Sequence, residues 1–485
     1  MENCCSLIQG WITECKCSAQ HPQCATTSAP LPRRIINIGQ DGTRICLENT
    51  SGNQEGDYVF LSYNWGAGKL IRTTCANLQS FMQEIPLDIL PQLFLDAVHL
   101  ARRLGMSYLY IDALCLIHDD FEDQRREVEK LPEYCAGAIY TFSATSPDPS
   151  VGLFGARHDD NILLSLKIIS LARPESSGTD YIQIRRPLKS LEENLPETVS
   201  FRAWRIQETV LSERIIFFQQ DQVFWNCNTC LRSEGSLATQ QPVLRLGIHA
   251  TNTPEFDVEQ RNHLMPWYSL IELFSQTKLS FPRDALHSLA GLARHVEYRL
   301  HFQYVAGLWL EDLPRGLLWG ARTKSSLTRP SWEIAPSWSC VSTVGPVSYS
   351  FARTISLLAS RDAPRFDDVG RGSQIDQFGG AYYHFYLSAM TFQISAGVPL
   401  GHLEFFFDLA EDEKSFLEGS KKYFCIVIAR HYLDITNKGS RYIGLLVEEM
   451  KTHIDSVVTS RVGIFVGPSI DHPTDEWVRK SISII

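Results

Sequence analysis

No stretch of the 485-residue chain approaches the roughly 18–20 consecutive apolar residues that a membrane span needs, so no membrane partner is expected. Basic runs are missing too. No run of Lys or Arg exceeds two residues, and the formal net charge is −10. Binding a phosphate backbone calls for a concentrated basic face, so nucleic acid is not an expected partner either. The amino-terminal stretch MENCCSLIQGWITECKC has no basic segment followed by a long apolar one, and it does not read as a secretory signal. The patterns GxGxxG, HExxH and GxSxG are absent. Their absence removes the motif-based case for a Rossmann dinucleotide site, a zinc protease and a nucleophile elbow. WGAGKL falls short of a phosphate loop, because Leu70 stands where a metal-binding hydroxyl is needed. The chain also lacks internal repeats and long low-complexity tracts.

Cysteine, by contrast, is plentiful: there are 13, an odd number without regular spacing. With no secretory signal these read as reduced thiols of a cytoplasmic protein. Cys4, Cys5, Cys15, Cys17 and Cys24 fit no common zinc-finger spacing, and Cys227-x-x-Cys230 has no matching second pair. Free thiols are the expectation for both groups. Apolar residues at 44% and charged residues at 21% are ordinary for a globular protein. A chain this long can bury a sizeable core without a covalent or metal staple.

Four regions are expected. Residues 1–55 read as a poorly structured, cysteine-containing lead-in. Residues 56–235 read as an α/β domain, 236–330 as a helical connecting region, and 331–485 as a β-rich domain. In the α/β region, YVFLSYNWG suits a buried strand stopped by a polar loop. LPQLFLDAVHLARRLG is an amphipathic helix closed by Gly105, and SYLYIDALCLI reads as the next buried strand. Strand, helix, glycine and strand form the grammar of a mostly parallel sheet with flanking helices. A second helix is expected over Glu122–Tyr134, a strand in AIYTFSAT, and a helix then a strand pair in RAWRIQETVLSERIIFFQQDQVFWNC. Residues 160–200 read as connection, and residues 230–260 as loop. YFCIVIARHYL, YIGLLVEEM and SRVGIFVG read as strands of the β-rich region.

One feature stands out within SYLYIDALCLIHDDFEDQRREVEKL. Asp112 interrupts an apolar run, and a buried carboxylate costs free energy unless it is paired or hydrogen-bonded. Asp119, Asp120, Glu122 and Asp123 suit the first turn of a helix. In open α/β sheets ligands bind beyond the carboxyl ends of the strands, which is where Asp112 should lie. It reads equally as a structural Asp or a ligand contact. Arg202, Arg205 and Glu208 surround Trp204; Arg and Trp together can hold a phosphate and stack a base, or can pack as a core Trp with ion pairs.

These segments, in this order, resemble the fungal heterokaryon incompatibility (HET) domain. The matching pieces are YVFLSYNWG, LPQLFLDAVHLARRLGMSYLYIDALCLIHDD, FSATSPD with GLF, and RAWRIQETVLSERIIFF with FWNC, spanning roughly residues 58 to 230. FPRDALHSLAGLA, YVAGLWLEDLPRGLLW and PSWSCVS resemble the half commonly attached to that domain. The resemblance implies a cytoplasmic nonself-recognition protein associated with growth arrest or cell death. Its implied partners are other incompatibility proteins or a second copy of itself. The family is also distantly similar to TIR domains, which implies a flavodoxin-like fold and NAD as a candidate substrate; no bound cofactor is implied. Glu127 best matches the TIR glutamate, with Asp112 as its companion carboxylate. Ser62, Trp65, Asp119, Arg202 and Trp204 are the candidate contacts to the ligand. The chain departs from the family pattern at Tyr110, Ala113, His118, Gln124, Leu131 and Cys340. An effector enzyme cleaving NAD therefore stands beside two alternatives. One is a non-enzymatic self-associating module; the other is a metal-dependent hydrolase using Asp112, Asp119 and Asp120, whose carboxylates suit magnesium.

Overall fold

Runs of apolar residues bounded by polar loops become the strands at the centre of the amino-terminal unit. The structure is a computed structural model. It describes residues 2–17, 19, 21, 24, 29–39, 44–50, 54–66, 70–146, 148–154, 162–168, 180–185, 188, 190, 191, 203–242, 264–277, 284–324, 326–330, 335–357, 364–375, 381–394, 404–418, 421–432, 440–450, 458–468 and 478–484. Two compact units divide the chain, Met1–Arg245 and Leu246–Ile485.

In the first unit the elements are α1 (Glu2–Cys17), β1 (Arg34–Asn37), β2 (Cys46–Asn49), β3 (Tyr58–Ser62), α2 (Gln92–Arg103), β4 (Tyr108–Tyr110) and α3 (Asp112–Cys115). They continue with α4 (Phe121–Gly137), β5 (Tyr140–Ala144), β6 (Ile162–Ile168), β7 (Asp180–Arg185), α5 (Ala203–Leu211) and β8 (Arg214–Phe218). A meander of β9 (Val223–Cys227), β10 (Leu231–Ser233) and β11 (Ser236–Gln240) follows, and shorter strands and turns lie between these elements. Nine strands form one sheet in the order β11-β10-β9-β8-β5-β3-β4-β1-β2. The four central strands are parallel, β8 to β5, β5 to β3, and β3 to β4. Every residue of β3, β5 and β8 is buried, as expected of parallel strands covered on both faces.

Helix α2 follows its apolar periodicity, burying Leu93, Phe94, Ala97, Val98, Leu100 and Ala101. Gly105 then takes a left-handed φ of 78°, the conformation that stops a helix most cheaply at glycine. Asp120 caps α4 by accepting the Asp123 amide N–H at 3.0 Å.

Four expectations are corrected. SYLYIDALCLI is not one strand: β4 stops at Tyr110, and Asp112 opens the single turn α3. The Asp112 side chain accepts its neighbour's Ala113 N–H at 2.7 Å, a local bond that competes with the sheet ladder. The lead-in is not poorly structured at its start, because α1 is a 16-residue helix. Cys4, Cys5, Ile8, Trp11 and Cys15 are buried on it, and apolar burial is what holds a helix this short. Residues 162–168 and 180–185, expected as connection, pair as an antiparallel hairpin. Leu231–Ser233 and Ser236–Gln240, expected as loop, extend the sheet.

In the second unit come helices α6 (Met265–Phe274) and α7 (Asp284–Leu300), then β12 (Ile355–Leu357), β13 (Arg365–Ile375), β14 (Ala381–Ile394) and β15 (Glu404–Phe407). After them come α8 (Ala410–Glu418), β16 (Tyr423–Tyr432), β17 (Ser440–Met450), β18 (Val458–Pro468) and β19 (Val478–Ile484). The sheet order is β12-β16-β17-β18-β19-β14-β13, and β15 pairs with β18. Because β14 pairs with both β16 and β19, strands β14, β16, β17, β18 and β19 close a ring, which satisfies the backbone of strands that would otherwise be edges. Phe416, Tyr423, Cys425, Val427, Leu446, Val462 and Phe465 form a core cluster there. Among the described residues no helix is long and apolar enough to cross a membrane.

Candidate functional site

The carboxyl ends of β3, β4 and β5 carry a concentration of polar side chains. Ser62 ends β3 and is buried; Tyr63, Asn64 and Trp65 follow it. Asp112 stands just past β4 and collects three donors. The Tyr63 hydroxyl reaches Oδ1 at 2.7 Å, the Trp65 indole N–H reaches Oδ2 at 2.9 Å, and the Ala113 amide completes the set. His118 turns back over this group, with Nε2 3.4 Å from the Asp112 carbonyl and its ring edge-on to Trp65 at 5.1 Å. Burial lowers the His118 pKa, so its imidazole is neutral near pH 7. Burial, with the nearby Asp112 charge second, pushes the Tyr63 phenol well up and keeps it a donor.

Helix α5 delivers the second half of the site. Arg205 and Glu208 are three residues apart, one turn along the same helix face. Ser62 Oγ donates to Glu208 Oε2. Arg205 is buried and its Nη2 donates to Ser143 Oγ at 2.8 Å and to the Ala144 carbonyl at 3.0 Å, at the end of β5. Asn64 Nδ2 reaches the Ser146 carbonyl at 3.5 Å. Asn64 Oδ1 is buried and has no hydrogen-bond partner among the described residues.

The carboxylates singled out in the sequence are distributed differently. Asp112 and Trp65 are joined directly. Ser62 pairs with Glu208. Glu127 is 2% exposed and accepts the Tyr134 hydroxyl at 2.9 Å, with Arg33 Nη1 3.6 Å away. Arg33 also approaches Asp123 at 3.5 Å, and Arg34 holds Asp123 through its two terminal nitrogens, Nη1 and Nη2. A recess of about 390 Å³ beside this ion-pair group is lined by Arg33, Arg34, Asp120, Asp123 and Arg126, among others. Asp119 accepts the Cys75 amide N–H at 2.7 Å, which lowers its pKa. Asp120 is occupied as the cap of α4. Asp112, Asp119 and Asp120 thus each have their own partners. Arg202 lies outside the described residues; Trp204 lies in the first turn of α5, and its side chain is likewise outside them.

Glu208, Arg205, Asn64 and Tyr63 gather at these strand ends. The sequence singles out Arg205 and Glu208 only as neighbours of Trp204, with a phosphate contact or core ion pairs as their two readings, and it does not single out Asn64 or Tyr63. The available signal was the Arg205/Glu208 spacing on a helix, but their strand partners lie far off in sequence, 146 residues for Ser62. Residues 58–208 match the family model described as heterokaryon incompatibility protein (HET). The matched segment starts at the first residue of β3 and ends at Glu208. Comparison with curated proteins and with solved structures gives no match.

Proposed function

We propose that the segment 58–208 is the effector module of an incompatibility-type nonself response in the cytoplasm, and that it cleaves NAD between nicotinamide and ribose. The family match supports the first half. The second half rests on the Ser62–Glu208 pair. Taken in chain order, the four parallel strands lie in the sequence second-first-third-fourth, the order of flavodoxin-like sheets. In such sheets the ligand sits at the switch point between the first and third strands. Here those are β3 and β5, whose ends carry Ser62, Asn64, Ser143 and the guanidinium of Arg205.

The chemistry needs a carboxylate beside the ribose. The bond from the anomeric carbon to the nicotinamide nitrogen breaks, and its electron pair leaves with nicotinamide. The oxocarbenium-like cation that develops is stabilised by the carboxylate; water then adds to it and gives up a proton. Glu208 is the carboxylate assigned this role, with Ser62 orienting it and Trp65 offered as a stacking face. Glu127 suits it less well, because Arg33 and Tyr134 already engage its charge. A second reading, a self-associating module without enzymatic activity, draws on Asp112, whose carboxylate is already occupied by three donors.

Incubation of the purified chain with NAD, with and without magnesium and under crowding, separates the two. Turnover by the wild type that falls at least ~100-fold in Glu208→Gln, with Glu127→Gln retaining it, is the expected result. No turnover in any assembled state, alongside undiminished toxicity of Glu208→Gln in a fungal host, overturns the NAD reading in favour of self-association.

A further inference from the structure

The fold gathers cysteines that look scattered in sequence. Cys15 lies in the last turn of α1, His21 and Cys24 follow that helix, and Cys227 ends β9. Their four ligand atoms all lie within 4.8 Å of one another, and all four residues are buried. Cys227 Sγ is 3.5 Å from His21 Nδ1. Cys24 Sγ is 3.4 Å from Thr229 Oγ1, in the turn after β9. That turn is tight: the Cys227 N–H donates to the Cys230 carbonyl at 3.0 Å, and the Cys230 N–H points back at Cys227 Sγ at 3.4 Å. A tetrahedral zinc ion with Zn–S of about 2.3 Å and Zn–N of about 2.0 Å separates its ligand atoms by about 3.5–3.8 Å. The cluster is near that size before any ion draws it together.

A second observation concerns charge. Arg214, the first residue of β8, has no exposed surface. Its Nε donates to Cys15 Sγ at 3.4 Å, and its Nη2 donates to the Cys24 carbonyl. A guanidinium does not lose its proton in a protein, and a buried charge without a counter-charge is strongly destabilising. Glu213, 3.6 Å from Nη1, has a side chain that is 35% exposed. Three thiolates, a neutral imidazole and a divalent cation together carry one negative charge, placed directly against this guanidinium.

We propose that Cys15, His21, Cys24 and Cys227 bind a zinc ion that fastens α1 and the segment after it to the β9–β10 turn. Four protein ligands in a buried setting leave no open coordination position, so the ion is structural. The set of three sulfurs and one nitrogen suits zinc over magnesium or calcium, which take oxygen. On binding, the three thiols release their protons to solvent and the metal takes the sulfur lone pairs; no oxidant or reductant is involved. Cys230 stays outside the coordination set and supports it through its backbone N–H.

The test uses the full chain, purified under reducing conditions without chelator. Elemental analysis is expected to find close to one zinc per chain. Cys227→Ser and His21→Ala lose it, while Cys230→Ser and the exposed Cys17→Ser keep it. Because a ligand variant can fail to fold, the metal-stripped wild type is also titrated with cobalt(II). Tetrahedral d–d bands and a thiolate-to-cobalt charge-transfer band, both displaced by zinc, are expected. Folded wild type with negligible metal and no such bands overturns the proposal. So does a disulfide between any two of Cys15, Cys24 and Cys227 in the reduced preparation, or retention of full zinc by His21→Ala.

Discussion

Arg214 and Arg461, one in each unit, have no exposed surface, yet they are held in opposite ways. Arg461, on β18, meets a carboxylate: its Nε lies 2.9 Å and its Nη2 3.2 Å from the oxygens of Asp408, itself buried. The Leu317 carbonyl accepts from Nη1 at 2.5 Å, the Trp319 carbonyl accepts from Nη2, and the guanidinium stacks on the Trp319 ring at 3.6 Å. Arg214 meets the Cys15 thiol and the Cys24 carbonyl, and the Glu213 carboxylate 3.6 Å from its Nη1 is 35% exposed. The second unit buries its counter-charge with the guanidinium. In the first unit the buried groups around it are cysteines, and their charge depends on what they bind. The same buried cation thus marks an ion pair in one place and, in the other, the cysteine–histidine cluster proposed to bind zinc.

Removing the counter-charge should have the largest effect. Asp408→Ala leaves Arg461 buried and unpaired, and should cost the second unit about 3–5 kcal/mol in denaturant unfolding of the full chain. The double change Asp408→Leu with Arg461→Met should recover most of that loss; failure to do so would mean that packing, not charge, dominates.

The next test concerns a carboxylate of the same unit whose burial outweighs the cations near it. Asp412, in the first turn of α8, has an oxygen that is buried without a partner among the described residues, and burial pushes its pKa up to about 7. Arg329 and Lys421 oppose that rise, while Asp408 and Glu448 add to it. The folded state therefore binds this proton more tightly than the unfolded chain, and stability is lost as pH climbs from about 4 to about 7. Asp412→Asn should abolish that slope. After discounting for partial exposure, it should stabilise the second unit at pH 8 by roughly 2 kcal/mol and change nothing below pH 4, read from melting curves at each pH.

Arg214→Met tests the other half of the comparison. With zinc bound it should cost about 2 kcal/mol, the scale of hydrogen bonds to charged groups. It should also quicken zinc loss to a chelator, because the negative cluster loses its cation. The smallest effect should come from Asp120→Ala, which removes the α4 cap. About 1 kcal/mol should be lost, visible as a lower unfolding midpoint, with the metal content untouched.

Local pattern made much of this fold legible. All-apolar runs in β3, β5 and β8, the apolar stripe of α2, and the strands near 423–432, 440–450 and 458–468 follow from short-range periodicity. Asp112 misled because the chain turns into α3 there through local backbone bonds, while its carboxylate is held by Tyr63, Trp65 and Ala113, and hydropathy alone would have continued the strand. Glu208 was hidden because its meaning comes from Ser62, on another element. The cysteines were hidden for the same reason at longer range: His21 and Cys227 are 206 residues apart, far outside any finger-like spacing. Sequence reading finds neighbours along a helix or strand. It does not find neighbours made by closing a sheet.

That separation also sets a schedule. Cys15, His21 and Cys24 leave the ribosome before Cys227, which comes only after the central strands have been made. At about 5–20 residues per second, the wait is on the order of ten to forty seconds. Until β9 is made, α1 lacks the strand it packs against, and Cys15, His21 and Cys24 lack the fourth proposed ligand. Once β9 arrives, one coordination event joins the first part of the unit to nearly the last. The cluster thus acts as a clock mark in synthesis, closing only on a chain that has been made as far as residue 227.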